Sequence, residues 1–303
     1  MIVQGAFNLL FRPGLRKDFR DQYQEYEPEY PYYLKTGTTN TPEVSATIIT
    51  GMSRLVEIDD AEPVTYEDPK IGPKVMATDK EFALGFILSK KTVEDDQYGK
   101  ANQGAKWLAH AARMTYEYRS AALLDDAFSG TTFKGIDGLS LCNTAHTLLN
   151  SPSTVANTPA TQVGMSVTGI TAMLDIFMLM KDENGDPVRM MPKKLIIGNN
   201  STDLHKAMQI LGSDKEPFTA DNQDNAIKKR IGGITPYISH FKISSKSYFM
   251  IDDQYNDAHL LVRRPVSFDD TFDFDTRAAK FRTDTRFLIW FVDWKGWAGM
   301  NPS

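Results

Sequence analysis

Two side chains capable of covalent chemistry lie four residues apart in the segment GLSLCNTAH, where Cys142 precedes His146. Cysteine hydrolases use a thiol beside an imidazole, because the imidazole removes the proton that the nucleophile must lose. The segment is rich in Gly, Ser and Asn, which is typical of a loop, so the spacing alone defines no geometry for the pair. No G-x-S-x-G motif or family-specific cysteine context accompanies it. A glycine-rich turn with a packed histidine is the preferred interpretation, and a cysteine hydrolase is the alternative.

The other residues that could bind a metal or a phosphate form no recognised motif. The five histidines are scattered singly along the chain: His110, His146, His205, His240 and His259. The acidic run 182–186 lacks the twelve-residue spacing and terminal glutamate of a calcium loop, so an exposed turn explains it better. The glycines Gly135, Gly138 and Gly232-Gly233 match neither G-x-G-x-x-G nor a Walker sequence. We therefore expect no catalytic, cofactor-binding or metal-ligating residues.

Two charged runs have an ordinary structural interpretation. In SFDDTFDFD, residues 267–275, aspartates alternate with phenylalanines, which predicts a strand with a solvated face over an apolar one. Cation binding is the alternative for these aspartates. The run Lys228-Lys229-Arg230 is short and predicts a solvated helix end.

Composition excludes several classes of protein. The chain has 303 residues, of which 41% are hydrophobic, enough for a buried core in one or two domains. We interpret its formal charge of -5 as evenly spread, with no cluster of Lys and Arg that would indicate nucleic-acid binding. A single cysteine excludes an intrachain disulfide and fits a reducing cytoplasm. There is no signal-peptide pattern and no apolar run of roughly 20 residues, so we expect a soluble, intracellularly made protein.

The longest periodic segment runs from Thr92 to Phe128 and predicts a helix of roughly 45 Å. One stripe of this helix is polar: Gln103, Lys106, His110, Arg113, Glu117 and Ser120. The opposite face is apolar: Trp107, Ala111, Met114, Tyr118 and Ala121, flanked by Ala105, Leu108 and Ala112. Because an apolar face packs against a core, we expect it to lie on the chain's own terminal strands, around Phe287–Val292.

Residues 1–44 differ in composition from the rest of the chain. They are rich in Tyr, Glu, Pro and Thr, and only a short helix from Pro13 to about Tyr26 is predicted. Such a segment cannot bury enough surface to offset its ordering entropy, so it is either disordered or lies on a partner subunit. Five tyrosines between Tyr23 and Tyr33 favour the partner, since tyrosine is enriched at interfaces.

Strand-like and helix-like patterns alternate through the remaining chain. ATIITGMSRLVEI predicts a strand or a short helix, and Val64 to Leu88 predicts two strands joined by a turn at Pro69–Pro73. A long loop follows the long helix. The remaining predicted elements are a helix 166–180, a turn 182–187, a strand 194–198, a helix 203–211 capped at 200–202, strands in 234–240 and 247–253, and aromatic C-terminal strands.

This order of elements resembles the major capsid proteins of tailed bacteriophages of the Hong Kong 97 type. Two segments sharpen the resemblance toward the Mu-like major head subunit branch: KEFALGFILSKKTVEDDQYG and GIDGLSLCNTAH. In that branch an aspartate pair before Tyr-Gly opens the long helix, matched here by Asp95-Asp96-Gln97-Tyr98-Gly99. An Asp-Gly loop ending in histidine follows the helix, matched by Asp137-Gly138 through His146. The segments MPKKLIIGN and STDLHKAMQIL are similar to the start of the family's axial domain.

The resemblance implies an α+β fold with four parts. Residues 1–44 would be the N-terminal arm and residues 45–91 the extended loop, a β-ribbon. Residues 92–185, with the long spine helix, would form the peripheral domain together with 263–303. Residues 186–262 would form the axial domain.

The resemblance also implies a function. The chain would be a major capsid protein that self-assembles into hexamers and pentamers of an icosahedral shell enclosing double-stranded DNA. It would be made in the bacterial host cytoplasm and located in the virion. Its partners would be further copies of itself, the portal, and separate scaffolding or cement proteins, with no membrane, no cofactor and no enzymatic activity.

Several expectations and alternatives accompany this interpretation. The arm begins almost at Met1, so we expect no built-in scaffold and no cleavage at maturation, and no cross-linking through Lys70, Lys74 or Asn301. The alternatives are an encapsulin-like compartment of the same fold, the cysteine hydrolase using Cys142 and His146, and a tail-tube or baseplate protein.

Overall fold

The computed structural model describes residues 4–60, 62–89, 91, 100–218, 223–231, 234–244, 246–273 and 278–302. The helices are α1 (Gln4–Glu25), α2 (Lys100–Asp125), α3 (Val167–Leu179), α4 (Ser201–Gly212) and α5 (Ala226–Ile231). The strands are β1 (Lys35–Thr38), β2 (Glu43–Ile49), β3 (Ile71–Thr78), β4 (Lys80–Ser89), β5 (His146–Thr147), β6 (Thr154–Val155), β7 (Lys194–Gly198), β8 (Pro236–Ser239), β9 (Tyr248–Ile251), β10 (Ala258–Asp273), β11 (Ala278–Phe291) and β12 (Trp297–Met300). The predicted Asp95–Gly99 motif, Gly232-Gly233 and the pair Phe274-Asp275 lie outside the described residues.

The long helix α2 lies across a four-stranded sheet. The strand order is β1-β10-β11-β4, and the two central strands form a long antiparallel pair. Tyr116 of α2 stacks on Phe287 of β11 with ring centroids 4.2 Å apart, and its hydroxyl lies 2.6 Å from Thr285 Oγ1. Phe82 of β4 also stacks on Phe287, with ring centroids 4.8 Å apart. The prediction that the helix packs on the terminal strands is therefore confirmed.

The predicted rotation of α2 is correct for some residues and wrong for others. The residues that have the predicted exposure are Ala105, Leu108, Ala112 and Ala121, which are buried, and Gln103, Lys106 and His110, which are exposed. Trp107 and Tyr118, assigned to the buried apolar face, are 65% and 58% exposed. Arg113, Glu117 and Ser120, assigned to the polar stripe, are buried. The sequence pattern predicted the wrong exposure for these polar residues because the N-terminal segment covers part of the stripe. Backbone groups of that segment form hydrogen bonds with the buried polar side chains.

The N-terminal segment packs on its own chain. Among the residues whose burial is described, its buried apolar residues are Leu15, Phe19, Tyr33 and Leu34, and Glu29 is buried as well. Tyr30 stacks on Tyr116 at 6.0 Å, and Arg113 donates from Nη2 to the carbonyl oxygen of Tyr23 at 2.8 Å. The expectation of a disordered or partner-bound tyrosine segment is therefore wrong for these residues, because α2 supplies the aromatic and polar partners that an isolated segment would lack.

A second sheet has the strand order β12-β9-β7-β8 and carries α3 to α5. The predicted strand Lys194–Gly198 is confirmed as β7. The predicted cap at 200–202 is confirmed, because Asn200 accepts a hydrogen bond from Thr202 N. The structure adds a cap that was not predicted, in which Ser166 accepts a hydrogen bond from Gly169 N. Strand β12 pairs with β9, so the end of the chain closes this second sheet.

The β-ribbon is built differently from the prediction. Strand β3 begins at Ile71, inside the expected turn at Pro69–Pro73, and pairs with β2, so the expectation of a turn that joins two strands there is wrong. Proline lacks an N–H, but Pro73 lies at an irregularity in the register, where a ladder hydrogen bond is not required. One face of the ribbon packs on Leu288 and Trp290 of β11. Residues 50–70, which we call the ribbon tip, contain no helix or strand among the described residues.

A single residue, Asp79, joins the ribbon to the main sheet between β3 and β4. Its side chain is only 4% exposed. It accepts hydrogen bonds from Arg263 Nη1 and Arg286 Nη2, both at 3.1 Å, and its N–H donates to Pro42 O at 3.0 Å. Two arginines from adjacent strands therefore hold the carboxylate at the hinge, which determines how the ribbon leaves the sheet.

We predict that Asp79→Asn loosens the ribbon. The variant leaves two partly buried arginines without their shared anion, so the free energy of unfolding should fall by about 2 kcal/mol. Limited proteolysis should cut within the ribbon tip faster than in the unaltered protein. The control is Asp269→Asn, which removes an exposed ion pair with Arg282 and should change little. Equal cleavage rates in all three proteins would contradict the hinge.

Candidate functional site

The structure places His146 in the core. Its side chain is fully buried and its ring stacks on Trp294 at 3.9 Å. Nδ1 lies 2.5 Å from Asp137 Oδ2, and Nε2 lies 3.1 Å from Asn157 Oδ1. The interpretation as a packed histidine is therefore confirmed, and the Asp-Gly…His loop is held together by this contact between its first and last residues.

Cys142 is buried as well, with 2% of its surface exposed. Burial raises the pKa of its thiol well above the usual range, so the reactive thiolate is disfavoured. A Cβ on Gly299 would come within 2.5 Å of its sulfur, which shows how closely the backbone packs there. Both nitrogens of His146 already face Asp137 and Asn157, so the geometry offers Cys142 no general base.

We predict that the thiol of Cys142 is inert in the folded chain. A chromogenic disulfide reagent at pH 8 should release no thiolate from the native protein, and one equivalent per chain after unfolding in guanidinium. The control is Leu55→Cys, at a position that is fully exposed, which should react within seconds. Rapid stoichiometric reaction of the native, unaltered protein would contradict the buried position.

The acidic turn 182–186 serves structure. Asp182 Oδ1 accepts hydrogen bonds from the N–H groups of Asn184 and Asp186 at 2.9 and 2.8 Å. Asn184 Nδ2 donates to the carbonyl oxygens of Gly51 and Met52, both at 3.2 Å. The turn therefore anchors the root of the ribbon tip, and within the described part of the chain no group of three His, Cys, Asp or Glu side chains could hold a metal ion.

The aspartates of β10 only partly form the solvated face that the sequence predicts. Their ion pairs are Asp269 with Arg282, Asp270 with Arg16, and Asp273 with Lys280. The alternating Phe268 and Phe272 pack against the cluster that α1 and α2 share. The interpretation is confirmed for Asp269, whose side chain is 51% exposed. It is wrong for Asp270, whose side chain is 10% exposed and lies on the same face of the strand as Phe268 and Phe272.

A polar centre with two buried carboxylates and the exposed His240 joins the N-terminal segment, α2 and the second sheet. The carboxylate of Glu29 accepts from His240 N at 3.1 Å and lies 2.5 Å from His240 Nδ1. The N–H of Glu29 donates to Glu117 Oε1 at 3.0 Å. Glu117 is fully buried, and its Oε2 has no hydrogen-bond partner among the described residues. Sequence reasoning missed this centre because its three residues lie far apart in the chain.

Burial raises the pKa of Glu117 to about 7, and the nearby Glu29 carboxylate adds to the effect, while the Glu29 N–H opposes it. A carboxyl group with a raised pKa binds its proton more tightly in the folded state. The free energy of unfolding therefore falls as the pH rises from the unfolded value near 4.5 to about 7, and stays low above it. A shift of this size corresponds to about 3 kcal/mol.

We predict that Glu117→Gln removes this dependence on pH. The amide oxygen can still accept from Glu29 N, but no charge has to be buried. We compare the unfolding temperature of the variant with that of the unaltered protein at each pH. This difference, variant minus unaltered protein, should be several degrees larger at pH 8 than at pH 5. Thermal unfolding followed by circular dichroism measures this difference. A difference that does not change with pH would show that Glu117 is not the titrating group.

The ribbon tip exposes an unusual amount of apolar surface. Its exposed large side chains, with those at the adjoining strand ends, are Ile49, Met52, Leu55, Val56, Ile58, Val64, Tyr66 and Ile71. Residues 50–70 also contain six acidic and two basic residues, so they carry -4 of the chain's formal charge of -5. The expectation of an evenly spread charge is wrong. A large apolar patch on a folded protein typically marks an interaction surface.

The fold resembles that of known shell proteins. The mature capsid of bacteriophage PhiM1 matches with a TM-score of 0.59 and 9% identity over 91% of this chain and 87% of that chain. Microbacterium phage Oxtober96 matches with a TM-score of 0.55 and 11% identity over 92% of both chains. The virus-like particle from Pyrococcus furiosus matches with a TM-score of 0.51 and 11% identity over 94% and 97%. No curated protein matches in sequence.

These features define a class of protein: the chain has the α+β fold of Hong Kong 97-type capsid proteins. A family model described as "Phage capsid protein" matches residues 74–299. The chain therefore belongs to this phage capsid family and is a structural protein of the capsid shell. No described helix is long and apolar enough to cross a membrane.

Proposed function

We propose that this chain is a major capsid subunit of the Mu-like branch. It self-assembles into the hexamers and pentamers of an icosahedral shell that encloses double-stranded phage DNA. The observation that carries the proposal is the exposed apolar surface of the ribbon tip in a member of the capsid family. A side chain such as Leu55, fully exposed in the isolated chain, gains free energy only when another copy covers it.

The proposed parts of the subunit follow the sequence resemblance. Residues 92–185 and 263–303 would form the peripheral domain, and 186–262 the axial domain that gathers around the symmetry axes of capsomers. Residues 1–44 and 45–91 would be the arm and the extended loop. The two proposed domains share a sheet, because β12, which belongs to the proposed peripheral domain, pairs with β9 of the proposed axial domain.

The proposed partners are further copies of the chain, the portal, and a separate scaffolding or cement protein, after synthesis in the host cytoplasm. DNA would be enclosed without sequence-specific contacts. A net charge of -5 supports this view, since a protein that binds phosphates strongly needs clustered Lys and Arg.

A second candidate is a shell of the same fold that encloses protein cargo, as in encapsulin-like compartments. The similarity to the virus-like particle from Pyrococcus furiosus favours it, since that match covers 97% of the other chain. The content of assembled particles distinguishes the two candidates: nucleic acid supports the phage shell, and a packaged protein supports the compartment.

We predict closed particles when the chain is produced with its cognate scaffolding protein. Negative-stain electron microscopy should show shells, and image averaging should resolve six-fold and five-fold capsomers, because heterologous contacts that close under rotation generate rings. The control is a variant in which residues 53–67 are replaced by a Gly-Ser linker, which should remain folded and fail to assemble. Open tubes, or monomers of the unaltered chain under all conditions, would contradict the proposal.

A further inference from the structure

Asn184 and Gly185 form the one Asn-Gly pair in the sequence. Asparagine is a chemically labile residue, and it deamidates most readily before glycine, because a residue without a side chain leaves the attacking backbone nitrogen unhindered. The pair lies in the acidic turn between α3 and β7, and both residues are only partly buried, so water reaches them. The turn is therefore a candidate for a covalent change that needs no enzyme and no cofactor.

Deamidation of this pair proceeds in two steps. The backbone nitrogen of Gly185 loses its proton to a base in solvent and attacks Cγ of Asn184. The Cγ–Nδ2 bond breaks, and Nδ2 takes up a proton and leaves as ammonia. Water then opens the resulting succinimide ring at either of its two carbonyl groups, which gives aspartate or isoaspartate. One water is consumed and one ammonia is released for each chain that reacts.

The backbone of the turn favours glycine at the attacking position and also restrains it. Gly185 has a φ of 90°, in the left-handed region that glycine adopts without strain. Its N–H donates to the carbonyl oxygen of Asp182 at 3.1 Å. Because the nitrogen must lose this proton before it attacks, the closed turn slows the reaction.

The carboxamide that reacts is also the group that anchors the ribbon tip. Asn184 Nδ2 donates to the carbonyl oxygens of Gly51 and Met52, both at 3.2 Å, and Oδ1 accepts from Asn150 Nδ2 at 2.8 Å. These contacts hold the carboxamide in place while the anchor is formed. The atom that leaves in the reaction is therefore the donor that binds residues 51–52.

The product cannot form the same anchor. A carboxylate only accepts hydrogen bonds, so it would place an oxygen against the two carbonyl oxygens of residues 51–52. It would also add a negative charge to a turn that already holds Asp182 and Asp186. The ion pair between Arg54 and Asp186 remains, but it is exposed and contributes little.

We propose that Asn184 is a site of spontaneous deamidation whose reactivity is controlled by residues 51–52 at the root of the ribbon tip. The side chain is protected while it anchors the root and reacts when the root opens. The reaction then prevents the anchor from forming again. Because deamidation is irreversible, it marks each chain whose ribbon root has opened. This inference concerns the single chain and does not depend on the proposed assembly.

Peptide mapping by mass spectrometry tests the site. The folded protein is incubated at pH 8 and 37 °C, and the peptide that contains Asn184 is followed for the mass change from amide to acid. The variant Arg54→Ala/Asn150→Ala removes two contacts that support the anchor, the ion pair with Asp186 and the donor to Asn184 Oδ1. It leaves the Asn-Gly pair intact and should deamidate about ten-fold faster than the unaltered protein.

The matched control is Arg282→Ala, which removes an exposed ion pair with Asp269 in the main sheet and should react at the unaltered rate. Unchanged thermal unfolding of both variants shows that the effect is local. Asn200, which precedes a serine, is an internal reference in the same digest. Equal rates in the loosened variant and the unaltered protein would overturn the control by the ribbon root. A rate at Asn184 no higher than at Asn200 in the loosened variant would overturn the site.

Limited proteolysis tests the consequence. Asn184→Asp reproduces one product and should be cut within the ribbon tip at least three-fold faster than the unaltered protein, because a carboxylate replaces the anchoring donor. Asn184→Ala, which removes the anchor without adding charge, should lie between the two. Protein that has deamidated during incubation, separated by ion exchange, should be cut as fast as Asn184→Asp. Equal cleavage of Asn184→Asp and the unaltered protein would contradict the release of the ribbon tip.

Discussion

The packing of Tyr116 on Phe287 is the contact on which the rest of the structure depends. It fixes the rotation of α2 on the sheet, because the stacked rings and the Tyr116–Thr285 hydrogen bond permit only one orientation. That rotation turns Arg113 and Glu117 away from solvent. The N-terminal segment must then cover them, since a buried polar group without a partner is costly. The segment therefore becomes part of the subunit's own core.

With the N-terminal segment packed internally, the apolar surface left uncovered is concentrated at the ribbon tip. The same residues carry nearly all of the net charge. The ribbon is held on one face of the sheet by Asp79 and its two arginines, and at its root by Asn184. An acidic and apolar segment that is anchored at its root is suited to a contact with another copy. By contrast, Cys142 and His146 are buried and pack in the core. They therefore stabilise a loop and do not form a reactive pair.

Local patterns predicted much of this structure. The strand at 194–198 and the cap at Asn200 are determined by residues close in sequence, so a single segment contains the signal. The contact of His146 with Asp137 also lies within one segment, whereas Trp294, on which the histidine ring stacks, is far away in the chain. The rotation of α2 and the burial of Tyr33 depend on partners far away in the chain. The hinge at Asp79 could have been suspected from an acidic residue between two strand patterns, but its arginines come from β10 and β11. The net charge of the ribbon tip could be predicted from the sequence, by counting the acidic and basic residues of residues 50–70 separately from the rest of the chain.

The most direct measurement is a cryo-electron microscopy map of assembled particles that resolves side chains. We predict ring-shaped capsomers in which residues 50–70 of each copy lie against a neighbouring copy, with the side chain of Leu55 covered. A shell in which the tip faces solvent, or folds only on its own subunit, would contradict the account, as would particles built without ring-shaped capsomers.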